Sequence, residues 1–219
     1  MSPTTQTTVD ITMSLDGFVA GPNPTIESPL GAGGERLHEW VYDLDSWRQR
    51  HGLTGGERNP DADIVEEGIA ATGAVVMGRR MFSGGSGPWE DDPVADGWWG
   101  DDPPFGVPVF ILTHHPRETM TKEGGTTFTF VTDGIAAALE QARAAAADRN
   151  VAVAGGASVV QQYLQAGSLD EIQIHVAPIL LGSGTRLFGE PGPDLPPGLE
   201  ITRVIHSPAV THLRYRVLN

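Results

Sequence analysis

The sequence predicts an α/β domain with a mainly parallel central sheet. Three observations predict it. Short apolar runs alternate with segments of helical period along most of the chain. Three of those runs end in glycine or polar residues and pass into the next segment without a long linker: VVM into GRR, FIL into THH and VAVA into GGAS. The chain also closes on two alternating segments joined around Ser207-Pro208, which read as an antiparallel hairpin added to the sheet edge.

Taken in order, residues 9–14 read as a strand. Residues 37–50 place Leu37, Trp40, Val41, Leu44 and Trp47 at helical spacing, and this predicts a helix. Residues 61–71 predict a second helix, with Asp61 or Asp63 near its start. Residues 74–77 and 107–113 read as buried strands, 128–131 as another, and 133–147 as an Ala-rich helix opened by an acidic residue. Residues 151–154 are a strand running through Gly155-Gly156 into a helix. Residues 171–177 alternate Ile172, Ile174 and Val176, and 199–205 with 210–218 form the hairpin.

Two stretches interrupt this pattern. Residues 21–34, rich in Gly and Pro, are a loop. Residues 83–108 are also rich in Gly, Pro and Asp, yet carry Trp89, Trp98, Trp99 and Phe105. A disordered linker seldom holds so many aromatics, so this is read as an ordered insertion packed by its own rings. The whole of 1–219 is expected to form one domain.

The bulk composition excludes several classes of function. The chain has no cysteine, which rules out disulfides, thiolate metal sites and cysteine nucleophiles. It carries 28 acidic against 14 basic residues, a formal net charge of −14, which argues against nucleic-acid binding. No apolar run approaches the ~20 residues of a membrane helix, and no signal-peptide pattern is present. The expectation is a cytoplasmic protein with a small-molecule partner and neither nucleic acid nor membrane. The expected metal set is none: His38-Glu39 is not followed by the spacing of a zinc-binding helix, and no nucleophile elbow of the G-x-S-x-G type exists.

The chemistry is expected at the strand ends, because open α/β sheets bind ligands outside the carboxyl ends of their strands. Gly155 and Gly156 let backbone approach a ligand. The helix start after them, at Ala157 and Ser158, offers unpaired N–H groups and a partial positive charge suited to an anion. Gly78 passes the chain to Arg79 and Arg80, where a guanidinium can meet a phosphate in bidentate fashion. Thr113 and His114 offer a hydroxyl and an imidazole. Each set also has an ordinary structural use, as a tight turn or a solvated surface, but three sets at three strand ends together suggest a nucleotide with more than one phosphate.

The segments SLDGFVAG (14–21), VVMGRRMF (75–82), VFILTHHP (109–116), AGGASVVQQYL (154–164) and DEIQIHVAPILLGSGTRLF (170–188) resemble, in order and spacing, the dihydrofolate reductase-like superfamily. The likeness is strongest to the reductase domain of bifunctional riboflavin-biosynthesis deaminase-reductases and its stand-alone relatives. The resemblance implies a three-layer fold with a mainly parallel sheet and an antiparallel C-terminal hairpin, and NADPH as hydride donor. It implies that Gly78, Arg79 and Arg80 lie against the pyrophosphate or 2′-phosphate. Thr113 and His114 would meet the adenosine end, and Gly155, Gly156, Ala157 and Ser158 the pyrophosphate.

On the substrate side the resemblance puts Asp16 beside the nicotinamide, with Gly182 and Arg186 near the substrate mouth. It also puts a carboxylate on the first helix, for which 37–50 offers Glu39 and Asp43 as catalytic candidates, four apart and hence on one helical face. Trp89, Trp98 and Trp99 are candidates to lid the pocket, with plain packing as their other use, and His175 is read as structural. The implied function is reduction of a small polar heterocycle or carbonyl compound. Two alternatives stay open: the 5-amino-6-(5-phosphoribosylamino)uracil reductase of riboflavin biosynthesis, and a sensor that binds NADP(H) without turnover. The deaminase half is excluded for want of cysteine ligands. The terminal hairpin offers an edge strand to a second copy, which makes a homodimer the assembly to test.

Overall fold

The computed structural model describes residues 5–189 and 197–218; residues 1–4, 190–196 and 219 of the expected domain lie outside them. The strands are β1 (Thr7–Ser14), β2 (Phe18–Ala20), β3 (Thr72–Gly78), β4 (Pro108–Leu112), β5 (Met120–Thr121), β6 (Thr127–Val131), β7 (Asn150–Gly155), β8 (Glu171–Ala177), β9 (Thr185–Arg186), β10 (Gly198–His206) and β11 (Thr211–Leu218). The α-helices are α1 (Asp45–Arg50), α2 (Pro60–Ala71), α3 (Arg79–Ser83), α4 (Gly134–Ala145) and α5 (Ala157–Gln165).

Nine strands form one sheet in the order β10-β11-β8-β1-β7-β3-β4-β6-β5, and β2 pairs separately with β9. From β8 to β6 the strands run parallel, so their carboxyl ends share one edge of the sheet. The antiparallel β10–β11 hairpin closes one side, as expected from the alternation around Ser207-Pro208.

The alternation of side chains along each strand divides the core in two. On one face Val9, Ala74, Val76, Val151 and Val153 pack under α4 and α5, with Ala138, Leu139, Val160 and Tyr163. The Tyr163 hydroxyl donates to the Ile135 carbonyl at 2.8 Å and ties α5 to α4. On the other face Val75, Met77, Val109 and Ile111 pack with Phe82, Phe128 and Phe130, and the insertion lies over them. Trp99 contacts Phe82, Phe105 and Phe128, and Trp89 contacts Phe82 and Phe130. The insertion is thus held by aromatic side chains of the sheet and α3 as much as by its own.

Helix α2 covers the remainder of that second face. Asn59 caps it, its side-chain oxygen accepting from the Asp61 and Ala62 N–H groups at 3.0 Å, and Pro60 occupies the first turn where no N–H is needed. This start signal lies where the sequence placed a helix.

The expected helix over 37–50 is not formed. The chain makes a 3-10 turn at Gly34–Leu37, a run of turns, and only then the short α1. The reason is visible in the hydrogen bonds: His38, Val41 and Leu44 N–H groups donate to the carbonyls three residues back. Successive three-residue turns bury Leu37, Val41 and Leu44 at nearly the spacing a helix would use. An apolar period of three to four cannot separate the two conformations.

A candidate nucleotide cleft with a buried polar ladder beside it

The pairing register brings Met77 opposite Gly155, Gly78 opposite Leu112 and Leu112 opposite Val131. The ends of β3, β4, β6 and β7 therefore sit side by side. A Cβ on Gly78 would lie 3.0 Å from the Val159 side chain and 3.8 Å from the Gly155 carbonyl and the Gly156 nitrogen, so the end of β3 packs closely against the start of α5. Gly155 has φ +125 and precedes a cis peptide to Gly156. A Cβ on Gly156, by contrast, would meet nothing within 4 Å: open space stands in front of the first turn of α5. That turn has no side-chain cap, and the first N–H groups of a helix have no intrahelical partner.

Arg80 is exposed at this edge, and its side chain has no hydrogen bond or ion pair among the described residues. His114 is exposed beside the end of β4. Thr113 is buried, its hydroxyl accepting from the His115 N–H at 3.1 Å and forming a local turn. Gly78, Gly155, Gly156, Ala157 and Ser158 are thus brought together, with Arg80, Thr113 and His114 on neighbouring strand ends.

Arg79 is a correction. Its guanidinium does not face this cleft: it forms a buried ion pair with Asp92, donates to Ser83 Oγ at 2.9 Å, and lies 3.2 Å from the Trp89 ring centroid. Burial works to raise the Asp92 carboxyl pKa, but hydrogen bonds from Ser83 and Arg79 outweigh it and hold the group below the usual carboxylate range. Trp89 in turn donates its indole N–H to the His115 carbonyl at 2.9 Å. Adjacent arginines on a helix point apart, and the insertion supplies an anion to one of them.

At the end of β1, Asp16 is an anchor between loops. Its Oδ1 accepts from Ser14 Oγ at 2.6 Å and from the Leu181 N–H at 3.2 Å; its Oδ2 accepts from the Gly182 N–H at 2.7 Å. The Ser14 hydrogen bond, followed by those from the loop amides, lowers its pKa to about 2. Arg186 donates to the Asp16 carbonyl at 3.2 Å and lies over Phe18. Asp16, Gly182 and Arg186 do meet, therefore, but the carboxylate is committed as an acceptor and is no store of protons near neutrality. Glu39 and Asp43 are corrected more fully. Both are exposed in the turn segment, so the helical face they were to share does not exist.

The carboxylate that the helix packed on this face does bury is Asp61, 2% exposed, which was noted only as a helix start. Its Oδ1 lies 2.9 Å from His212 Nε2; His212 Nδ1 lies 2.6 Å from His175 Nδ1; His175 Nε2 lies 2.5 Å from Asp10 Oδ1. Residue pairing explains the alignment. Thr12, His175 and His212 occupy one cross-strand row of β1, β8 and β11, and Asp10, Gln173 and Arg214 the next. Gln173 donates to Asp10 Oδ2 at 3.0 Å and accepts from Arg214 at 2.7 Å. Polar positions recurring with period two on three strands were the available signal; of these only His175 was singled out, as structural.

Burial lowers the His212 pKa, opposed by its hydrogen bond to Asp61. Burial likewise lowers that of His38, whose Nδ1 is enclosed without a hydrogen-bond partner. At Asp10, burial would raise the pKa, but His175, Gln173 and Arg214 together lower it.

The model of the RibD C-terminal domain family matches residues 6–213. The chain belongs to this family. Among solved structures, the RibD C-terminal domain fold of this chain is similar to a putative riboflavin biosynthesis protein from Shewanella sp. PV-4, with a TM-score of 0.64 and 20% identity over 98% of this chain and 99% of that one. It is similar to a diaminohydroxyphosphoribosylaminopyrimidine deaminase/5-amino-6-(5-phosphoribosylamino)uracil reductase from Thermotoga maritima, with a TM-score of 0.57 and 14% identity over 97% of this chain and 56% of that one. It is also similar to RibD of Acinetobacter baumannii, with a TM-score of 0.52 and 17% identity over 97% and 58%. The chain thus spans little more than half of these last two proteins. No curated protein sequence matches it. These likenesses carry the fold: a RibD-type, dihydrofolate reductase-like mixed sheet, mostly parallel, with antiparallel C-terminal strands and flanking helices.

Proposed function

We propose that this chain is an NADPH-dependent reductase that transfers a hydride to a C=N or C=O carbon of a small polar heterocycle or carbonyl compound. Membership of the RibD C-terminal domain family supports a reductase of that type. The observation that carries the nucleotide reading is the open space before α5, bordered by Gly78, Gly155 and Gly156 with Arg80 exposed nearby. A pyrophosphate fits there: uncapped N–H groups and the helix start favour an anion, and no Cβ blocks its approach. Bound there, the reduced nicotinamide supplies the hydride. The protein orients the two reactants and excludes water.

A narrower substrate, the phosphoribosylamino-uracil named for the Thermotoga relative, needs a cation on the substrate side. Arg186, exposed beside Asp16 and Gly182, is the residue that favours it. Homodimer formation through β10 completes the proposal: this edge strand exposes Leu199, Ile201 and Val204, and light scattering of the purified protein tests it.

Tryptophan-fluorescence titration with NADPH and NADH, followed by NADPH oxidation against pterins, pyrimidines and carbonyl compounds, tests the function. Binding and turnover are expected. Failure to bind either nucleotide overturns the reading, and tight binding without oxidation by any compound leaves a sensor instead.

A further inference from the structure

We infer that His175 and His212 form a one-proton latch, in which a single hydrogen shared by their facing nitrogens ties the C-terminal hairpin to the parallel sheet. The tie weakens when that hydrogen is lost and when a second one joins it. The latch stands apart from the reductase reading above and needs no substrate.

Counting hydrogens carries the inference. Asp10 Oδ1 lies 2.5 Å from His175 Nε2, the two Nδ1 atoms lie 2.6 Å apart, and His212 Nε2 lies 2.9 Å from Asp61 Oδ1. Polar atoms this close are held by a hydrogen between them, so three contacts need three protons. Two neutral imidazoles between two carboxylates supply only two protons. Their outer nitrogens then donate to the carboxylates, and two nitrogen lone pairs face each other at 2.6 Å. Two imidazoliums supply four protons and set two N–H groups against each other. Three protons fit the structure, and the count is the same whichever of the four groups formally holds the third.

The position of the pair makes it a latch. In the sheet order β10-β11-β8, the hairpin joins the parallel strands through the β11–β8 ladder. That ladder runs from Thr211 opposite Val176 to Arg216 opposite Glu171, and His212 opposite His175 is its second rung. The outer contacts reach β1 at Asp10 and α2 at Asp61, so the file pins four elements together. Both imidazoles are buried, and Trp40 covers them, with its ring centroid 4.9 Å from that of His175 and 5.3 Å from that of His212. The Trp40 N–H donates to Thr12 at 3.2 Å, which fixes this cover. Under such a cover a broken contact is not replaced by solvent, and an unmade buried hydrogen bond is costly.

The charged surroundings favour the three-proton state. At Asp10 burial would raise the pKa, but His175, Gln173 and Arg214 lower it, so this carboxylate stays an acceptor. Burial lowers the His212 pKa and opposes a fourth proton. His38 of the covering segment is also lowered by burial and adds no charge near neutrality. Arg214 of β11 is answered by Glu67 of α2 and Glu171 of β8, and Arg50 of the covering segment acts on Asp10.

Proton linkage gives the latch an optimum. At about pH 8 the unfolded chain holds two protons on these imidazoles, whose ordinary pKa is about 6.5, while the folded latch holds three. The folded state binds more, so the latch loses stability as pH rises above about 6.5. At about pH 5 the unfolded imidazoles hold four protons and the folded latch three. The unfolded state then binds more, so stability is also lost as pH falls below about 6.5. The acid side agrees in sign with the lowered pKa of His212.

The test uses the full chain. Calorimetric unfolding at about pH 8, in buffers of different ionisation heat, counts the protons released. The wild type should release about one proton more than H212Q, whose amide satisfies a neutral His175 by donating to it. Equal release from the two folded proteins overturns the latch. Where H212Q does not fold, two measurements on the wild type decide. Proton NMR at about pH 7, with nitrogen-15 in the imidazoles, should show one strongly deshielded hydrogen between the two Nδ1 atoms, and its absence overturns the latch. Backbone hydrogen exchange, corrected for the intrinsic rate, should show protection of 171–177 and 211–218 highest at about pH 6.5. It should fall about five-fold or more at both about pH 5 and about pH 9, relative to β3 and α4. Protection that falls on the acid side alone, or equally in β3 and α4, overturns the latch and leaves the reductase reading untouched.

Discussion

Arg79 and Asp92 form an ion pair in which both side chains are almost wholly buried, 6% and 3% exposed, with the Trp89 ring stacked on the guanidinium. The pair joins α3, directly after the glycine turn of β3, to the insertion. It turns one of two consecutive arginines into structure and leaves the other to the cleft. Breaking a buried pair by removing one partner strands a charge and commonly costs about 3–5 kcal/mol. Arg79→Ala or Asp92→Ala should therefore lower the urea midpoint strongly. Arg80→Ala should leave the midpoint within error and weaken NADPH more than NADH. Equal weakening of both nucleotides would contradict a 2′-phosphate contact at Arg80.

Gly155 and Gly156 differ in what a methyl group would do. At Gly155, with φ +125, any side chain is strained, and Gly155→Ala should destabilise the fold by about 1–3 kcal/mol. At Gly156 the new methyl meets nothing within 4 Å. Gly156→Ala should keep the thermal midpoint yet raise the NADPH Kd at least ten-fold, since the methyl enters the space assigned to the pyrophosphate. Calorimetry and fluorescence titration on both variants separate the two effects.

Stability should fall on mild acidification. His38 and His212 have folded pKa values below the imidazole value of 6.5, in both cases chiefly through burial. The unfolded chain then binds more protons than the folded one as pH drops through 6.5 toward the lowered values. Stability from these groups is present above 6.5 and is lost below it. Urea midpoints at about pH 8 and pH 5.5 should differ accordingly, and His38→Asn should reduce the difference.

Asp16 titrates elsewhere. With a folded pKa of about 2 against an ordinary 3.8, its contribution is present above 3.8 and lost as pH falls toward 2. Asp16→Asn should free the 180–186 loop, seen as faster proteolysis there, with no change in the neutral-pH limb of a rate profile. A shift of that limb would make Asp16 the proton donor after all.

The order of strands and helices could be read from local physics. Apolar period over most of the chain, the acidic start of the second helix at Asp61 and the glycines at strand ends are short-range signals, and outside 37–50 they led to the elements observed. The glycine cleft was legible for the same reason: glycines at a strand end are a local signal, although of Gly78, Gly155 and Gly156 only Gly155, with φ +125, adopts a backbone conformation that requires glycine. The stretch over 37–50 misled because three-residue turns and a helix bury nearly the same residues.

What the sequence by itself determined is the layered α/β architecture and its parallel strand ends with their glycine turns. Tertiary structure alone decided which charges remain free. Arg79 met its anion 13 positions along the chain, in Asp92. Asp10, His175, His212 and Asp61, dispersed along the sequence, were aligned by strand register under Trp40 and α2. Electrostatic partnership depends on distance and burial, which sheet pairing sets and a residue's sequence neighbours do not.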